Sequence, residues 1–156
     1  MQGPNEKAIR TEATLEGDKN SDRPNKEIYK DMVEELDWSV GRILETLKKY
    51  KLDKNTFVVF FSDNGPVINN GGSTGGYRGA KGAPWEGGHR VPGICYMPGT
   101  VKGGTMCKQT VMSFDLFPTM LDMANIHYDD SKKKLDGASL VPLFKAVSYT
   151  HLRAHE

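Results

Sequence analysis

Asp63 and Asn64 place a carboxylate and an amide carbonyl side by side within Ser62-Asp63-Asn64-Gly65-Pro66. Both are hard oxygen donors of the kind calcium or magnesium prefers. Consecutive side chains on a strand point to opposite faces, so both reach one ion only where the chain turns. Gly65-Pro66 supplies such a turn, although Asp-Asn-Gly also reads simply as a tight turn with no ligand. Further on, Lys81 sits in Gly79-Ala80-Lys81-Gly82, where small neighbours let the backbone approach a ligand and leave the ammonium able to reach an anion. The alternative is an ordinary solvated lysine. The Gly-x-x-x-x-Gly-Lys-Ser/Thr phosphate loop is absent. Glu86 and Arg90 suit an ion pair that fixes their loop, and His89, without an identifiable carboxylate partner, reads as a surface or lining residue. His127, His151 and His155 lie in polar loop or tail contexts that support no metal cluster. Asp115, just before Leu116-Phe117-Pro118, most simply caps a helix.

These groups need elements to hold them. Tyr29, Met32, Val33, Leu36, Val40, Ile43, Leu44 and Leu47 recur every three or four residues, which predicts a helix starting near Asn25, the expected N-cap after Pro24. Glu27, Lys30, Glu34, Glu45 and Lys48 fall off that apolar stripe and are expected to face water. Thr56-Phe57-Val58-Val59-Phe60-Phe61 lacks polar alternation and predicts a strand buried on both faces, as in a parallel sheet between helices. A helix feeding such a strand is half of a βαβ unit. Asp63 and Asn64 then lie at the strand's carboxyl end, the usual place for an α/β site. Residues 65–90 form a long glycine-rich loop, and one this long in a compact domain is usually functional or disordered. Tyr77, Arg78, Lys81, Trp85, Glu86 and Arg90, interleaved with the glycines, are not a linker's composition. A second strand is expected over Val91 to Met97, a helix near Asp115–Ala124 with Pro118 in its first turn, and a short apolar turn at Ser139–Phe144.

The 156 residues, 37% hydrophobic and 26% charged, suit one soluble globular unit or a piece of a larger one. With 21 Lys plus Arg against 20 Asp plus Glu, there is no strong field to recruit nucleic acid or an anionic membrane. No apolar run is long enough to span a bilayer. Residues 1–25 are polar, read as a loop or frayed end, and lack the apolar core of a signal peptide. Cys95 and Cys107 form no Cys-x-x-Cys pair and read as free thiols, with Cys95 buried. No Asn-x-Ser/Thr glycosylation pattern occurs.

Taken in order, several stretches resemble the sulfatase family of the alkaline-phosphatase-like superfamily. They are Leu36-Asp37 through Val40-Gly41-Arg42-Ile43-Leu44, then Asn55-Thr56-Phe57 into Phe61-Ser62-Asp63-Asn64-Gly65. Next come Arg78-Gly79-Ala80-Lys81-Gly82, Trp85-Glu86-Gly87-Gly88 and Arg90-Val91-Pro92, followed by Asp115-Leu116-Phe117-Pro118-Thr119 and Asp136-Gly137 with Ser139-Leu140. The resemblance covers roughly Lys26 to Phe144. It implies an α/β fold, part of an alkaline-phosphatase-like sandwich with a mainly parallel sheet flanked by helices. Residues 26–146 would be the C-terminal portion of a sulfatase catalytic domain, with 1–25 as a loop or frayed segment. Val147 to Glu156 resembles translated adapter sequence and is expected to be a non-native tail.

The implied chemistry is hydrolysis of aryl or carbohydrate sulfate esters. In this family the hydrated aldehyde of a formylglycine, made from a Cys/Ser-x-Pro-x-Arg motif, attacks sulfur while one calcium ion holds nucleophile and sulfate. By motif match, Asp63 and Asn64 are calcium ligands and Lys81 contacts a sulfate oxygen. Neither cysteine and no serine fits the formylglycine motif, and the family's early Asp-Asp pair is absent. The resemblance therefore implies that Met1 is internal to a longer protein whose missing front half carries the nucleophile, that this chain alone is inactive, and that the whole protein is exported. Two alternatives remain open: a phosphodiesterase or phosphonate hydrolase of the same superfamily, and a non-catalytic module binding sulfated glycans.

Overall fold

The computed structural model describes residues 24–131 and 133–149. The loop expected over residues 1–23 lies outside them, as do His151 and His155. In chain order the elements are helix α1 (Asn25–Lys49), strand β1 (Val58–Phe61), the short helix α2 (Glu86–His89), strand β2 (Gly93–Tyr96), helix α3 (Leu116–Met123) and helix α4 (Val141–Tyr149). The chain divides into two compact units, Met1–Cys95 and Tyr96–Glu156.

In the first unit, α1 forms where the apolar period predicts. Glu27 in its first turn and Lys48 and Lys49 in its last complement the helix dipole. Lys30 pairs with Glu34 at 3.4 Å and Arg42 with Glu45 at 3.7 Å along its exposed side. The cap differs from expectation. Asn25 is the first helical residue, and Pro24 occupies the N-cap without a side-chain bond. The Pro24 carbonyl accepts from the backbone N–H of Glu27 at 2.9 Å, so the first turn closes on backbone alone. At the other end Leu52 N donates to Leu47 O (2.8 Å) and Lys51 N to Lys48 O (3.0 Å), with Lys51 left-handed at φ 57°. This paired closure usually takes glycine at the left-handed position. Helix α1 packs on the 3-10 turns Asp53–Asn55 and Ile68–Asn70, which flank β1.

The apolar stripe of α1 is not wholly covered. Tyr29, Val40, Leu44 and Leu47 are half-buried, whereas Met32, Val33, Leu36 and Ile43 are exposed. Strand β1 corrects the expectation of burial on both faces in the same way. Val58 and Val59 are half-buried, but Phe60 and Phe61 are 37% and 44% exposed. The physical reason is the sheet: among the described residues it has two strands, β1 beside β2, too few to cover both faces of either. Within β2, Cys95 is half-buried, and burial pushes its thiol pKa up.

The second unit is held by a polar clamp. Thr119 on α3 is fully buried; its hydroxyl donates to Asp115 O at 2.6 Å and accepts from Leu140 N at 2.8 Å. The Asp115 carboxylate accepts from Met112 N (2.7 Å) and from Ala138 N (3.0 Å). Asp115 was expected to cap the following helix, yet no side-chain bond to the α3 backbone forms. Its carboxylate points back across the turn Ser113–Asp115 and out to the 138 segment. Gly137 lies so close to the Phe114 carbonyl that a Cβ there would collide. Ser139 Oγ donates to Asp122 at 2.5 Å. Leu140, Val141 and Phe144 bury their side chains at the start of α4, which turns the expected short apolar turn into a helix running through Tyr149.

Candidate active site

Directly after β1 the chain turns. Ser62 Oγ donates to Asn64 O at 2.9 Å, leaving Asp63 exposed and Asn64 half-buried at the strand's end. Gly65 is buried, and its N–H donates to Gly88 O at 2.8 Å. One residue on, Pro66 O accepts from Lys81 N at 3.1 Å. Two backbone bonds thus tie the Asp63-Asn64 tip to both halves of the glycine loop, and Lys81 is brought back to it.

The glycines make this contact possible. A Cβ on Gly65 would strike the Gly87 carbonyl, one on Gly87 the Gly79 carbonyl, and one on Gly88 the Ala83 carbonyl. Gly87 N donates to Arg78 O at 2.8 Å and Gly88 N to Trp85 O at 2.7 Å, so the loop closes on itself. Gly79 is left-handed at φ 83°, which a side chain resists. The small residues around Lys81 were expected to admit a ligand. Gly79 instead makes room for the loop's own Ala83 and Trp85 side chains, while the position of Gly82 is open.

Two aromatic contacts stiffen the loop further. The Arg78 guanidinium lies 3.8 Å from the Trp85 ring centroid, and that of Arg90 4.6 Å from Tyr77's. Arg90 also pairs with Glu86 at 3.0 Å, as its spacing predicts. Pairs this exposed contribute about 0–1 kcal/mol each, so their effect is to orient the side chains more than to stabilise the fold. Sequence reasoning missed both stacks; the interleaving of Tyr77, Arg78, Trp85 and Arg90 with glycine was the available signal.

Asp63, Asn64 and Lys81 line one cleft of about 990 Å³. Asn25, Tyr29 and Met32 of α1 contribute to its wall, with Asn70, Ser73, Thr74, Tyr77 and Arg90 from the loop. His89 is exposed and not part of this lining, and His127 is exposed elsewhere. Among the described residues the cleft has two cationic side chains, Lys81 and Arg90. Arg90 is engaged by Glu86 and Tyr77. Among the described residues neither the Lys81 ammonium nor the Asp63 carboxylate has a hydrogen-bond or ion-pair partner. The oxygen donors suit a hard divalent cation in kind but not in number. Calcium takes about six to eight oxygens, and the described residues contain no group of three His, Cys, Asp or Glu that could hold a metal.

A family model described as Sulfatase matches residues 4–126, and the chain belongs to the sulfatase family. It is 40% identical over 123 residues to the steryl-sulfatase of Rattus norvegicus, covering 74% of this chain and 21% of the rat protein. Identity to the N-acetylgalactosamine-6-sulfatase of Mus musculus is 41% over 118 residues, covering 73% of this chain and 22% of the mouse protein. The chain therefore spans about a fifth of the length of these relatives. Among solved structures it is similar to Ps i-CgsB in complex with k-i-k-neocarrahexaose, with a TM-score of 0.75 and 30% identity over 93% of this chain and 32% of that one. It also resembles the PsFucS1 sulfatase from Pseudoalteromonas sp., with a TM-score of 0.66 and 30% identity over 73% of this chain and 23% of that one.

Proposed function

We propose that this chain supplies the sulfate-holding part, and two of the calcium ligands, of a sulfuric ester hydrolase. The observation that carries the reading is the Lys81 ammonium, unpartnered among the described residues, in the same cleft as the Asp63-Asn64 oxygen pair. Lys81 would contact a sulfate oxygen, and the Asp63 carboxylate and Asn64 amide oxygen would face the calcium ion. A fixed ammonium stabilises charge that develops on the sulfuryl oxygens. When bound, calcium would neutralise sulfate charge and activate the nucleophile. The nucleophile would be a formylglycine outside these 156 residues, which contain no Cys/Ser-x-Pro-x-Arg motif.

Charge favours a metal here. A sulfate dianion beside Lys81 also feels the Asp63 carboxylate, and one ammonium does not offset both. A divalent cation against Asp63 reverses the sign of that term, so calcium and sulfate should strengthen each other's binding reciprocally. For the protein as a whole we extend the proposal to an alkaline-phosphatase-like sandwich with a mainly parallel sheet, and to export from the cytoplasm. Among the described residues no helix is long and apolar enough to cross a membrane.

Inorganic sulfate binding by the 156-residue chain, measured with and without calcium, tests the reading. Binding should strengthen on adding calcium. Lys81→Ala should weaken it about tenfold or more, the scale for losing a charged hydrogen bond, and Asp63→Asn should abolish the calcium dependence. The chain alone should not turn over an aryl sulfate. Sulfate binding indifferent to Lys81 and to calcium would refute the proposal; retention of sulfated glycan without calcium would favour a binding module instead.

A further inference from the structure

We infer that Tyr77, held by Arg90 and Glu86, is a specificity wall that packs against a ring in the alcohol part of the sulfate ester. The inference rests on the sulfate site proposed above and adds what lies beyond it. Tyr77 lines the cleft that also holds Asp63, Asn64 and Lys81. It is fixed from two sides. Its backbone N–H donates to Thr74 O at 3.3 Å and its carbonyl accepts from the Thr74 hydroxyl at 2.8 Å, closing the turn through Gly75 and Gly76, both left-handed at φ 65° and 95°. From the other side the Arg90 guanidinium lies 4.6 Å from the ring centroid, itself anchored to Glu86 at 3.0 Å.

The arrangement differs from a second anion subsite. Glu86 and the tyrosine ring engage Arg90, so its charge is offset where it stands. Tyr77 keeps 39% of its surface exposed although the loop around it is tied down. An aromatic side chain immobilised yet left partly bare at a cleft wall offers flat contact area at little further entropic cost. A ring-bearing alcohol with its sulfate at Lys81 would pack its face there. A short flexible alkyl group would gain far less, because aromatic contact prefers stacked or edge-to-face rings.

Binding of 4-nitrophenyl sulfate and of inorganic sulfate to the full 156-residue chain in calcium separates the two ideas. Tyr77→Ala should weaken 4-nitrophenyl sulfate about three- to tenfold, the range for one aromatic contact, with inorganic sulfate changed less than about twofold. Tyr77→Phe, which keeps the ring, should retain the preference, and Tyr77→Leu, apolar but ringless, should lose it. Arg90→Lys keeps a cation for Glu86 but not a planar group for the ring, and should fall between. Equal weakening of both ligands in Tyr77→Ala and Tyr77→Leu, or no weakening in either, would overturn the wall. Lys81→Ala must weaken both ligands together, and its failure to do so would strike the sulfate site rather than Tyr77.

Discussion

Replacing Thr119 with valine keeps the shape of the side chain and removes its hydroxyl. At most surface positions such a change is nearly neutral. Here Thr119 has 0% exposure, and its hydroxyl joins Asp115 O at 2.6 Å to Leu140 N at 2.8 Å. Valine removes both bonds and leaves the Leu140 N–H without its partner beside a buried side chain. The orphaned Leu140 donor costs about 1–3 kcal/mol and the lost bond to Asp115 O about 1 kcal/mol more, so Thr119→Val should destabilise by about 2–4 kcal/mol. Serine makes the opposite exchange. It loses one buried methyl, worth about 1 kcal/mol, and retains both hydrogen bonds. The expected stability order is threonine, then serine, then valine, whereas a purely hydrophobic core would put valine above serine. Urea unfolding of the three proteins would measure the order, and amide exchange would show whether Leu140 N–H loses protection in the valine variant alone. Valine equal to or above serine, with Leu140 protection unchanged, would refute the hydrogen-bond account of this clamp.

Gly87→Ala sets a Cβ against the backbone carbonyls of Gly79 and Arg78, which cannot swing aside. It should cost about 1–3 kcal/mol and make the Arg78–Arg90 loop more susceptible to limited proteolysis, whereas Gly103→Ala, into open space, should be neutral within about 0.5 kcal/mol. An alkylating thiol reagent should label exposed Cys107 before Cys95, whose burial raises its pKa and lowers its thiolate fraction; peptide mapping at partial labelling reads the ratio. Because folding raises the Cys95 pKa, its contribution is fully present below the ordinary thiol pKa and is lost as pH rises through the raised folded value. Unfolding midpoints compared between neutral and alkaline pH should therefore fall less steeply in Cys95→Ala than in the parent chain.

Local chemistry made much of this protein legible in its residues. The three-and-four spacing from Tyr29 to Leu47 has one helical solution, the β-branched run before Phe61 favours a strand, and Glu86 and Arg90 lie one helical turn apart. These outcomes depend on neighbours in sequence. Long-range placement was decided only in three dimensions. That Gly65, Gly87 and Gly88 are spacers between backbones, rather than room for a ligand, depends on two segments meeting face to face. The Asp115 carboxylate is taken up by Met112 N close by and by Ala138 N, a residue distant in sequence that only the fold brings to it. Phe60 and Phe61 are partly bare because burial belongs to the layers around a strand and not to its composition. Apolar sequence states what a segment prefers to touch; only the assembled neighbours determine whether anything is there to touch it.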